Sequence, residues 1–119
     1  MHELSLAGGI LQLLEDAARR ERFARVTLLR LEAGKLCGVE VRALRFALEA
    51  IASGTCLEGA CIEIEEPEGQ AWCLQCNAAV ALAERGAPCS GCGGYRLQPT
   101  AGTELRVMDM LVEDHWCPE

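Results

Sequence analysis

Leu6, Ile10, Leu13, Leu14 and Ala17 recur three or four residues apart. That spacing marks one face of an amphipathic helix over roughly 5–22, with Ser5 as its N-cap. Glu15 and Asp16 fall mid-helix, and Arg19, Arg20 and Arg22 fall near its end, where cations complement the helix dipole and form a solvated face. Val26 to Glu32 reads as a strand, with Thr27, Leu29 and Leu31 on one face and Val26 and Leu28 on the other; Ala33-Gly34-Lys35 ends it. A second helix is expected from around Gly38 to about Ser53, with Val41, Leu44, Leu48 and Ile51 as its buried stripe, Phe46 in the same core and Gly54 as the C-cap. Ala60 to Glu66 alternates cleanly: Ala60, Ile62 and Ile64 point inward, Cys61, Glu63 and Glu65 outward. Pro67 and Gly69 break this strand. Thr103 to Glu113 is a last strand, with Leu105 and Val107 on one face, Met108, Met110 and Val112 on the other, and a bulge near Asp109 where the pattern changes.

Between the last two strands the composition shifts to cysteine and glycine, over roughly 71–99, and the stretch closes before Pro99, Thr100 and Gly102. The order is helix, strand, helix, strand, cysteine stretch, strand. We therefore expect an α+β fold: a three-stranded sheet packed with two helices, formed by 1–70 together with 100–119, and a zinc-ribbon-like module inserted at 71–99.

The inserted stretch carries Cys73, Cys76, Cys89 and Cys92, two Cys-x2-Cys pairs twelve residues apart. Each pair sets two thiolates at the ends of a tight turn, and two such knuckles supply four soft ligands to a closed, tetrahedral Zn(II) site. Gly91, Gly93 and Gly94 are expected to provide the positive φ angles that a knuckle needs near its second thiolate. With no histidine among the ligands and no open position, the site reads as structural.

Charge and composition narrow the function. The formal net charge is −7, and Zn(Cys)4 lowers it further, so the chain is not built to coat nucleic acid or an anionic membrane. Within 71–99 only Arg85 and Arg96 are positive, against Glu84, which disfavours a zinc-ribbon nucleic-acid module. Met1-His2-Glu3 lacks the basic start and apolar run of a signal peptide, and no apolar stretch is long enough for a membrane span. Eight cysteines without a secretion signal point to a reducing cytoplasm. No catalytic constellation and no glycine-rich phosphate loop is present, so no enzymatic activity is expected. The alternatives that remain are a zinc-ribbon interaction module and a thiol redox switch, for which Lys35 beside Cys37 is the one suggestive pairing. Cys37, Cys56, Cys61 and Cys117 read as small buried or half-buried residues, and Trp72 as packing over the zinc module. Asp114, His115 and Cys117 form a second, weaker metal candidate near the C-terminus.

The first three residues have chemistry of their own. His2 is bulky enough for Met1 to be retained. The Met1 α-amine, the His2 amide nitrogen and the His2 imidazole can then close two fused chelate rings, with the Glu3 amide in a fourth, planar place. Nitrogen-rich planar coordination selects Ni(II) or Cu(II) over Zn(II). The Glu3 carboxylate is a further ligand, or an acceptor for the imidazole.

Met1-His2-Glu3-Leu4-Ser5-Leu6, Gly38-Val39-Glu40, Ala43-Leu44-Arg45-Phe46-Ala47-Leu48, Gly54-Thr55, Leu57-Glu58-Gly59-Ala60, the two Cys-x2-Cys pairs and Gly102-Thr103-Glu104-Leu105 together resemble the HypA/HybF family, the nickel-delivering accessory proteins of NiFe-hydrogenase maturation. The resemblance spans essentially the whole chain. It implies a transferable Ni(II) site at Met1, His2 and Glu3 and a separate structural Zn(II) site at Cys73, Cys76, Cys89 and Cys92. It also implies work beside a nickel-binding GTPase for the NiFe-hydrogenase large subunit, with urease maturation proteins as further partners. The chain departs from the pattern at Cys37, where the family more often has Ser, and in having no histidine inside the zinc module.

Overall fold

The computed structural model describes residues 2–113. The elements are helix α1 (His2–Glu21), strand β1 (Arg25–Ala33), helix α2 (Val41–Ile51), and strands β2 (Cys61–Glu65), β3 (Gly69–Cys73), β4 (Ala78–Leu82), β5 (Leu97–Ala101) and β6 (Leu105–Glu113). They form an α+β fold with two three-stranded sheets, ordered β2-β1-β6 and β4-β3-β5. The chain divides into two compact units, one of residues 1–31, 39–63 and 107–119, the other of 32–38 and 64–106. The expected cysteine module at 71–99 lies within the second. No described helix is long and apolar enough to cross a membrane.

In the first unit α1 packs on α2. Ala7, Ile10, Leu14 and Ala17 of α1 are buried, together with Val26, Leu29 and Leu31 of β1 and Leu44, Ala47 and Leu48 of α2. Burying a leucine side chain contributes roughly 1.5–3 kcal/mol, so this layer is the main source of the unit's stability. Leu13, expected in the stripe, is 61% exposed. Phe46 is 73% exposed, against the expectation that it joins the core. The helical turn explains it: at about 100° per residue Phe46 stands roughly opposite Leu44 and Leu48.

Two helix starts also differ from expectation. α1 begins at His2, so Ser5 lies exposed inside the helix and caps nothing; Glu3 in the first turn suits the positive end of the dipole. α2 begins at Val41, and its N-cap is Glu40, whose carboxylate accepts from the backbone N–H groups of Arg42 and Ala43 at 2.9 and 3.2 Å. At its other end α1 stops where Arg22 takes a left-handed φ of 62° and donates its N–H to Ala18 O at 2.8 Å. The basic last turn is solvated as expected, with Arg19 paired to Asp16. Such exposed pairs add little stability.

β1 and β6 run in opposite directions: Ala24 N–H donates to Glu113 O at 2.9 Å, Thr27 Oγ1 to Leu111 O at 3.2 Å, and Arg30 pairs with Asp109 at 3.0 Å. Val26 is buried along with Leu29 and Leu31, which are expected on the other face, and Thr27 is exposed, because the burial phase slips between Val26 and Leu29. In β6 it slips between Val107 and Met108, close to the change of pattern in the sequence.

The second unit is built on β3. It pairs antiparallel with β4, Gly69 opposite Leu82 and Cys73 opposite Ala78, and with β5, Ala71 opposite Pro99 and Cys73 opposite Leu97. Gly69, expected to break structure, instead opens this strand. A Cβ there would lie 2.4 Å from Leu82 O and 2.5 Å from Leu36 Cγ, so only glycine lets strand and side chain come this close. Pro99, expected outside the cysteine stretch, sits in β5, an edge strand, where a missing N–H is tolerated. The core is small: Leu36, Ala71 and Leu82, with Val80, Ala87 and Leu97 packed against it.

Candidate metal centres

The second unit ends β3 with Cys73, and Cys76 follows in a tight turn before β4. Asn77 N–H donates to Cys73 O at 2.8 Å, and Gly93 N–H to Cys89 O at 2.9 Å. The two knuckles therefore repeat one backbone plan. In each, the residue after the second cysteine has a left-handed φ, 56° at Asn77 and 74° at Gly93. Of the three glycines expected to supply such angles, only Gly93 does so. Asn77 does the same for the first knuckle, a role its tolerance of the left-handed region could have signalled.

The knuckles bring all four sulfurs within 4.8 Å of one another. Across the knuckles Cys73 Sγ lies 3.7 Å from Cys92 Sγ, and Cys76 Sγ lies 3.9 Å from Cys89 Sγ. A tetrahedral Zn(II) with bonds of about 2.3 Å requires sulfur–sulfur edges of about 3.8 Å. The four thiols thus fit a structural Zn(II). Cys73 and Cys89 are buried, Cys76 and Cys92 exposed. Their acidities are spread apart. Backbone N–H groups of Cys92 and Gly91 pull Cys89 down to about 6, while hydrogen bonding with the thiols of Cys92, Cys73 and Cys89 pushes Cys76 up to about 12. A cation among them must displace those protons, so loading is coupled to pH.

The surroundings answer two sequence questions. Trp72 is 38% exposed, with Ala79 and Gln98 as its neighbours across β4 and β5. Strand alternation sets it on the opposite sheet face from Ala71 and Cys73. Arg85 Nε donates to Leu36 O at 2.7 Å, so one of the module's two cations is spent on holding its own backbone. Lys35 pairs with Glu68 at 3.0 Å, which takes its charge away from Cys37.

The N-terminal candidate lies in the first unit. Met1 and the His2 side chain lie outside the described residues, as do Asp114, His115 and Cys117. The backbone of His2 and Glu3 forms the first turn of α1. The Glu3 carboxylate accepts from Glu40 N–H at 3.2 Å, which ties this turn to the start of α2. No sequence pattern linked Glu3 to Glu40. Of the other cysteines, Cys56 is buried and Cys37 half-buried as expected, whereas Cys61 is exposed on β2. Burial, and after it the neighbouring Glu15 carboxylate, raise the Cys56 thiol to about 11.

Comparison with known proteins matches this architecture. A family model described as hydrogenase/urease nickel incorporation, metallochaperone, hypA covers residues 1–112. Hydrogenase maturation factor HypA of Polaromonas naphthalenivorans is 72% identical over 114 residues, which cover 96% of this chain and 99% of that protein. The factor of the same name from Azotobacter vinelandii is 52% identical over 113 residues, 95% of this chain and all of the other. The solution structure of the Ni metallochaperone HypA from Helicobacter pylori superposes with a TM-score of 0.66 at 16% identity, over 95% of this chain and 98% of that one, a likeness of fold. The chain belongs to the HypA family, the metallochaperones of hydrogenase and urease nickel incorporation.

Proposed function

We propose that this chain carries Ni(II) on Met1, His2 and Glu3 and passes it, beside a nickel-binding GTPase, to the large subunit of NiFe-hydrogenase, with Cys73, Cys76, Cys89 and Cys92 holding a structural Zn(II). The family match, which begins at residue 1, carries this reading. The local structure supports it. The first amides of a helix have no intrahelical acceptor, and those of His2 and Glu3 lie in the first turn of α1. They can be given to a metal without breaking the helical ladder. The Glu3 carboxylate, bonded to Glu40, positions that turn.

A site at a chain end suits delivery, because its ligands can be exchanged one at a time for those of an acceptor. GTP hydrolysis belongs to the partner, and this chain performs no catalysis. The thiol donor set calls for a reducing compartment, the cytoplasm. Urease maturation proteins are the second class of acceptor. The test is calorimetric titration of nickel into untagged, zinc-loaded protein beside His2→Ala. Nickel binding by the wild type and none by the variant supports the site; equal binding by both moves nickel elsewhere; no binding by either removes the delivery reading.

A further inference from the structure

The cysteine cluster is lopsided in a way that its structural role does not require. Cys73 Sγ accepts a backbone N–H from Cys76 at 3.3 Å, Cys89 Sγ one from Gly91 at 3.3 Å, and Cys92 Sγ one from Gly94 at 3.4 Å. Among the described hydrogen bonds, Cys76 Sγ has no such backbone donor. Accepted N–H bonds draw charge from a thiolate and blunt it as a nucleophile. Cys76 is also one of the two exposed ligands. Beside it stands Gly91, whose missing side chain leaves the approach open: a Cβ there would lie 3.4 Å from Cys76 Sγ and 3.7 Å from Cys89 Sγ. The one sulfur without a backbone N–H donor among those hydrogen bonds is therefore on an exposed residue, with a buried sulfur of the other knuckle 3.9 Å away.

We propose that Cys76 is the hydroperoxide-reactive thiolate of the cluster, and that its oxidation closes a Cys76–Cys89 disulfide that loosens the zinc. The proposal rests on the zinc reading given above. The Cys76 sulfur attacks one oxygen of hydrogen peroxide, the O–O bond breaks, hydroxide departs and Cys76 becomes a sulfenic acid. The Cys89 thiolate then attacks the Cys76 sulfur, the S–O bond breaks, and a second hydroxide leaves. The two thiolates lose two electrons and the peroxide gains them; both hydroxides are neutralised by acid of the buffered solution. Closing from 3.9 Å to a disulfide bond of about 2.05 Å needs only a small movement of the knuckles. A bound Zn(II) would be unchanged in oxidation state and would be left with the thiolates of Cys73 and Cys92 alone, a set that would hold it weakly.

The experiment uses the full chain, with zinc content measured before any oxidant is added. Hydrogen peroxide is added in the presence of a chromogenic zinc chelator, and the protein is then alkylated and digested with trypsin. Cleavage after Arg85 separates the knuckles, so a cross-knuckle disulfide joins two peptides and a disulfide within a knuckle does not. Zinc release with a Cys76–Cys89 link, and sulfenic acid trapped at Cys76 by a dimedone-type probe, support the proposal. Gly91→Ala, which places a methyl group in the approach, slows release several-fold with the full zinc complement retained. The trapping measurement uses wild-type protein and needs no variant. Zinc retained while the exposed Cys61 thiol oxidises, first trapping at Cys92, or a link within one knuckle overturns the proposal. A chain that holds no zinc at the outset overturns the zinc reading and the proposal with it, and is recognised before peroxide is added.

Discussion

Glu3 Oε2 accepts the backbone N–H of Glu40 at 3.2 Å, while the Glu40 carboxylate caps the next two amides of α2 at 2.9 and 3.2 Å. The arrangement resembles a capping box divided between two helices: one glutamate serves the cap residue's own amide, the other serves the first turn. It makes the start of α1 a structural partner of the start of α2. The expected outcome for Glu3→Ala is a stability loss of about 1 kcal/mol, the usual worth of such a bond, read as a lower urea midpoint, together with weaker nickel binding. His2→Ala should leave the midpoint unchanged and abolish nickel binding. A Glu3→Ala midpoint equal to wild type would show that the bond to Glu40 contributes nothing.

On the proposed ligand set of an amine, amides and an imidazole, nickel would compete with protons for every ligand. As pH falls through the ordinary imidazole range, around 6.5, affinity should drop steeply. Nickel titrations at a series of pH values from mildly alkaline to mildly acidic check this. An affinity that stays flat across that range would place the metal on ligands already deprotonated.

Removal of zinc should unfold the second unit. Its core of Leu36, Ala71 and Leu82 is too small to offset chain entropy alone, so the metal supplies folding energy there. Amide exchange by NMR, with and without a strong chelator, should show protection lost in β3, β4 and β5 and kept in α1 and α2. Protection that survives complete zinc removal would mean that the metal is dispensable to the fold.

Gly69→Ala should cost about 2 kcal/mol or more, because its Cβ would meet backbone of the paired strand at 2.4 Å and Leu36 at 2.5 Å. Neither neighbour can swing away: one is a ladder carbonyl, the other a core side chain. Gly8→Ala is the control, since nothing lies within 4 Å of a Cβ there. Chemical denaturation of the two variants should separate them clearly.

Cys56 gives a pH signature. Its thiol is raised in the folded chain to about 11, from an ordinary value of 9.0. Folding favours the protonated form, so the stabilisation is complete below pH 9 and is lost as pH climbs from there through about 11. The urea midpoint of wild type should fall over that window more than that of Cys56→Ala. Cys61, exposed on β2, should alkylate rapidly at a pH where Cys56 does not.

What was legible in the sequence followed from strong periodicity and spacing. The helices, three of the strands and the four-cysteine cluster all appear where residue types repeat at fixed intervals. The misses share a cause: single residues whose surroundings override their type. Phe46 is apolar but lies on the wrong side of its helix, and Ser5 is a good cap residue that the helix simply overruns. Gly69 reads as a breaker but is the close-approach point of β3. Strands β3, β4 and β5 are five residues each, and alanine, glutamine, glycine and proline take most of their positions, so β-propensity does not announce them; their pairing depends on contacts that no local pattern encodes. Asn77 gives only a weak signal beside the glycines, the usual left-handed residues, and the link from Glu3 to Glu40 gives none because it joins residues far apart in sequence.

The chain passes between its two units four times, at 31/32, 38/39, 63/64 and 106/107. This threading sets an order of assembly. β3, β4 and β5 lie between residues 69 and 101, so the cysteine-bearing sheet can close from one continuous stretch as it is synthesised. The sheet of β2, β1 and β6 cannot, because its edge strand β6 is made after all the other described elements. During translation, then, the thiol knuckles are available to capture metal before the helical unit has its third strand. A shortage of zinc at that moment would be felt first as an unfinished nascent chain and only afterwards as a lost cofactor.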